Sequence, residues 1–118
     1  MIDYGRRTMA GEEPLLRAAV RRAEIAIGTE VSRTIPDARV TSFGAIDLYP
    51  SCLAILICVA TDAQRDSLLK DPDFLGRIRR IVADCGYPED SVGQIGFTAE
   101  SDETVDRDWN GNWYHALK

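Results

Sequence analysis

Histidine is almost missing from these 118 residues, with His115 the only one. Nucleophilic catalysis needs a base beside its nucleophile, and no Gly-x-Ser-x-Gly elbow is present to supply the other half of such a pair. His115 therefore reads as a packed or surface residue, and no enzymatic activity is expected. Long apolar runs are also lacking. The longest, Cys52–Ala60, is far short of the roughly 20 residues that span a bilayer. The first eleven residues hold no apolar stretch of signal-peptide type. No membrane segment is expected, and the default location is cytoplasmic. Cysteine is scarce, odd in number and without metal-site spacing. Cys52 and Cys58 fall in one expected strand, where strand rise sets them roughly 20 Å apart, too far to bridge. Cys58 and Cys85 read as small buried hydrophobes. A phosphate loop is absent as well: Gly93-Gln-Ile-Gly96 lies inside an expected strand rather than before a helix. Positive charge is not in excess, which argues against a nucleic-acid backbone as partner.

What the chain does have is acid, unevenly placed. It carries 19 Asp plus Glu against 14 Lys plus Arg, a net charge of −5. Residues 1–88 hold 12 acids and 12 bases, which cancel. Residues 89–118 hold Glu89, Asp90, Glu100, Asp102, Glu103, Asp106 and Asp108 against only Arg107 and Lys118. The whole imbalance belongs to the last quarter of the chain. An apolar content of 45% is enough for a core and too high for a disordered protein.

Residues 1–11 have no periodicity and read as a flexible leader; residues 12–118 read as a single α+β domain. A first helix is expected from Glu12 to Arg33. Pro14 fits its first turn, and Leu16, Val20, Ala23, Ile27 and Val31 share one face. Residues 38–49 read as a strand with a possible bulge at Phe43-Gly44, Pro50-Ser51 as a turn, and Cys52–Ala60 as a second strand covered on both faces. Thr61 or Asp62 can cap a helix that Asp71-Pro72 interrupts, with Asp71 capping the second piece. Leu75, Ile78, Val82 and Cys85 give that piece a buried face, and Gly86 suits the left-handed position after it. A third strand is expected from Ser91 to Glu100. The order is α-β-β-α-β plus a C-terminal appendage. Strands one and two pair antiparallel, strands two and three parallel through the helical crossover, with helices packed on one face of the short mixed sheet.

Few clusters carry chemistry. Asp106-x-Asp108-x-Asn110-Gly111 approaches a calcium loop, but the position of the closing glutamate is Leu117, so no metal or other cofactor is expected. No pair of carboxylates shows environments that would push their pKa values apart for acid–base work. The segment 100–118 is the exception, because it joins clustered acids to Trp109, Trp113 and Tyr114. Large aromatics anchor interfaces, and a field of one sign steers a partner of the other. The plain alternative is that Asp102 or Thr104 caps a short helix, the acids form its solvated side, and the tryptophans close the core.

The stretch Glu100-Ser-x-Glu-Thr-Val-Asp-Arg-Asp-Trp-x-Gly-x-Trp113 resembles the ending of small bacterial immunity proteins made beside polymorphic toxins. The rest of the chain is similar to them only in size, charge and architecture. The resemblance implies a protein that binds and neutralises a cognate toxin with a basic surface, without catalysis. Glu100, Asp102, Glu103, Asp106 and Asp108 would supply the field, Trp113 and Tyr114 the anchors, and Asn110 and Asn112 hydrogen bonds at the rim. Two other classes stay open: a small-ligand or enzyme-accessory domain whose C-terminal carboxylates bind a cation or amine, and a subunit of a homo-oligomer.

Overall fold

The apolar stripe read along the first helix forms in full. In this computed structural model, which describes residues 3–117, α1 spans Glu13–Ser32 and buries Leu16, Ala19, Val20, Ala23, Ile27 and Val31. Met1, Ile2 and Lys118 lie outside the described residues.

The expected strand over 38–49 is shorter than its pattern. β1 covers Arg39–Phe43 only. At Gly44 the backbone takes φ +119, and a Cβ there would lie 1.9 Å from the carbonyl oxygen of Cys52. Only glycine allows both the dihedral and the approach, and the chain turns out of the strand. Ala45 to Tyr49 close turns, and Pro50–Cys52 forms a 3-10 turn. Ile46 enters the core from a turn, while Leu48 stays exposed. β2 then runs Ala54–Val59, buried at every position after the first.

Thr61 caps α2 (Asp62–Lys70) with a full capping box, its hydroxyl accepting from the Gln64 amide while Gln64 returns a bond to the Thr61 amide. The chain breaks at Asp71-Pro72 as the proline requires. Asp71 does not cap the next helix. Asp73 precedes α3 (Phe74–Asp84), and the Asp71 carboxylate accepts from the Asp73 amide and from Arg77. α3 buries Phe74, Ile78 and Val82, with Leu75 and Cys85 only half-buried. Gly86 has φ +100, the left-handed stop.

The third strand starts later than its pattern. Pro88 leads into one helical turn, α4 (Glu89–Val92), and Gly93 ends it, so Gly93-Gln-Ile-Gly96 is a turn entering a strand. β3 covers Gly96–Ser101. The chain ends with α5 (Asp102–Trp109) and α6 (Trp113–Ala116).

The sheet order is β1-β2-β3, antiparallel between the first pair and parallel between the second. Ile55, Ile57 and Val59 point from β2 into the main core with α1, α3 and Ala99. Register puts Thr41, Leu56 and Thr98, and likewise Arg39, Cys58 and Glu100, on the opposite face. That second face is where α6 lies. All three cysteines are free. No helix among the described residues is long and apolar enough to cross a membrane.

Residues 3–11 form no strand or helix, but they are fastened to the body. Arg6 bonds Glu12 at 2.7 Å and Asp90 at 2.6 Å, Ser51 donates to the Tyr4 carbonyl, and the Thr8 amide donates to the Leu48 carbonyl at 2.8 Å. The Arg6 guanidinium and the Met9 amide hold the Glu12 carboxyl at about 2, below its usual 4.5. A carboxyl whose pKa falls on folding stabilises the fold above its unfolded pKa and loses that contribution as pH falls. The urea midpoint is therefore expected to hold from pH 7 to 5 and to drop below pH 4.5. Glu12→Gln should lower the pH 7 midpoint and flatten the acid drop.

Candidate functional site

The parallel strands β2 and β3 end side by side, with Val59 opposite Ser101. From there each chain turns directly into a helix, so the amino ends of α2 and α5 meet at one edge of the sheet. Free amides and the helix dipole make such ends attractive to carboxylates, and each helix supplies one to the other. The Ser101 hydroxyl caps α5 by accepting from the Thr104 amide at 3.1 Å, and it donates to Oδ1 of Asp62. The Thr104 hydroxyl donates to the same oxygen at 2.7 Å. In return Oε1 of Glu103 accepts from the Asp62 amide at 2.8 Å. The Ser101 and Thr104 hydroxyls, then Arg107 at 3.1 Å, hold the Asp62 carboxyl well below the usual carboxylate range.

Arginines stitch the rest. Arg65 on α2 donates to Glu100 at 2.9 Å and to the Thr104 hydroxyl at 2.7 Å. Arg39, at the start of β1, donates to Asp102 at 2.9 Å and lies 5.7 Å from the centre of the Trp113 ring. Asn110 takes the left-handed C-cap of α5 at φ 52, Gly111 follows at φ +75, and the Asn112 side chain accepts from the His115 amide to cap α6. This turn carries α6 back over the sheet. Ala116 and Leu117 face Thr41, Phe43, Leu56, Thr98 and Glu100 across a groove of about 590 Å³. Burial pushes the Cys58 thiol up, and the nearby Arg39 only partly offsets that.

The nine residues expected at a partner site thus divide. Glu100, Asp102 and Glu103 hold internal donors, and Asn110 and Asn112 are caps. Trp113 is half-buried on Arg39. Asp106, Asp108 and Tyr114 stand on the surface, with Asp108 accepting from Arg107 at 3.2 Å. Neither Asp102 nor Thr104 caps α5; Ser101 does. Trp109 does not close the core but is 45% exposed. Asp106 and Asp108 lie on α5 rather than in a loop, so the partial calcium pattern is a helix end. Among the described residues no three His, Cys, Asp or Glu side chains gather to hold a metal. Arg39 and Arg65, both central to the site, were not singled out in the sequence; Asp62 was read only as one of two candidate helix caps, a role that Thr61 takes.

Seven carboxylates (the five acids from Glu100 to Asp108, with Asp62 and Asp66) stand against Arg39, Arg65 and Arg107, leaving this end of the molecule at −4. Ser101 is fully buried. Ser101→Ala removes the cap and one donor to Asp62, so a loss of about 1–2 kcal/mol is expected in urea unfolding. A loss no larger than that of an exposed serine would contradict the crossed-cap arrangement.

Fold and site together define an α+β domain whose acidic C-terminal helices are tied down by arginines from distant elements. No family model matches the chain, and neither curated proteins nor solved structures yield a match.

Proposed function

We propose that this chain is an immunity protein that binds and neutralises a cognate bacterial toxin through the outer surface of α5 and α6, acting by occupancy and not by catalysis. The observation that carries the proposal is the company kept by the exposed apolar groups. Trp109, Tyr114 and Leu117 are 45, 69 and 48% exposed. They stand on one short segment with Asp106 and Asp108, at an end of the molecule that bears a net −4. Aromatics give anchor area at low conformational cost, and the acidic field draws in a basic toxin surface before contact. The likeness of residues 100–113 to immunity-protein endings favours the same reading. A small cation or amine in the groove beneath α6 fits less well, because it would have to displace Arg65 from Glu100.

The test is co-expression with the toxin encoded beside this chain. Growth is expected to be rescued, and the two proteins to co-purify, with slower association at high salt. Protection that persists when Asp106, Asp108, Trp109 and Tyr114 are all replaced by alanine would remove this surface from consideration.

A further inference from the structure

We infer that two copies of this chain pair through the outer edge of β1, antiparallel about a two-fold axis near Ser42, so that two three-stranded sheets become one of six strands. β1 and β3 are the end strands, and only β3 is guarded. Arg65 reaches across its end to Glu100, and Arg79 binds the Ile95 carbonyl just before it begins. Along β1, β2 pairs on one side, α1 packs beneath and α6 lies over Thr41 and Phe43, while the outer edge makes no backbone hydrogen bond to another element among the described residues. An open edge invites another strand, and natural proteins usually defend it with proline, lysine, a bulge or an inward charge. The strand Arg39–Phe43 has no proline or lysine. Its register with β2 is unbroken. Its only charge, Arg39, is drawn to Asp102 and Trp113.

The flank of this edge complements itself. Between α1 and β1 run two shallow grooves of about 190 and 380 Å³, and both are lined by Arg21 and Glu24. Arg21 has no ion-pair partner among the described residues. Glu24 accepts a bond from the Ser42 hydroxyl at 3.3 Å, which fixes it beside the strand. A two-fold axis near Ser42 brings each Arg21 to the other copy's Glu24, an isologous exchange in which one patch meets itself. Phe43 and Ile25, 54 and 73% exposed in one copy, come to lie along the same seam. Asp106, Asp108, Trp109 and Tyr114 line neither of these grooves, so either association can fail without the other.

Light scattering on the purified full chain, from about 1 µM to about 1 mM, should show the mass rising from monomer to dimer. Arg21→Glu should weaken the dissociation constant about tenfold or more. The double change Arg21→Glu with Glu24→Arg should restore it. Ile25→Lys, at a site exposed in the monomer, should abolish pairing with an unchanged melting transition at low concentration. A chain that stays monomeric to about 1 mM, a dimer indifferent to Arg21→Glu and Ile25→Lys, or a double change that fails to restore pairing overturns the inference.

Discussion

Cutting Ile57 back to alanine is expected to remove about 3 kcal/mol of stability and to lower the melting temperature by roughly 15 °C. Ile57 sits in the middle strand, opposite Val40 on one side and Ala99 on the other, and no part of it reaches solvent. Its neighbours in the core come from helices anchored elsewhere, so the site cannot collapse to fill the cavity. Leu56, the next residue, is just as deeply buried but points the other way. What covers it is α6, and α6 is held by Arg39 through Asp102 and Trp113. The two alanine variants should therefore part company when residues 110–118 are deleted. Ile57→Ala should cost the same in the shortened chain. Leu56→Ala, about 2 kcal/mol in the full chain, should fall below about 1 kcal/mol, because the leucine is already exposed there. Denaturant unfolding of the four proteins measures this. Equal costs for Leu56→Ala in both backgrounds would mean that α6 does not close the second face.

Local signals carried the helices. The stripe of α1, a cap at Thr61 or Asp62, the break at Asp71-Pro72 and the Gly86 stop were all legible, because each depends on residues within a turn or two. Sheet pairing followed from connection length alone. What misled was the stretch around Gly44. Its turn is set by the Cys52 carbonyl pressing against Gly44, a contact between residues whose spacing says nothing about their proximity. The acids of the last quarter could be counted, but not their partners. Arg39 comes to Asp102 across 63 residues and Arg65 to Glu100 across 35. A count of charge therefore overstated the free acid at this surface, and four of the five carboxylates hold internal donors.

That division leads to the second large effect, in which charge and aromatic replacements on the same surface should change different rate constants. Asp106→Asn with Asp108→Asn should slow association with the proposed toxin partner about tenfold at low salt, leave dissociation nearly unchanged and flatten the salt dependence. Tyr114→Ala and Trp109→Ala should instead speed dissociation, each costing about 2 kcal/mol, or roughly 30-fold in affinity, if its ring fills a pocket on the toxin. Asp102→Asn is the discriminating control. Asp102 is bound to Arg39, so its replacement should loosen α6 over Leu56 and lower thermal stability. Asp106 lies on the surface of α5, and Asp106→Asn should leave stability unchanged. Kinetic binding traces at two salt concentrations, set beside melting curves of the same variants, distinguish these routes. If Asp106→Asn and Asp102→Asn slow association equally without any loss of stability, the acids act as one undivided field, and the internal pairing of Asp102 has no bearing on recognition.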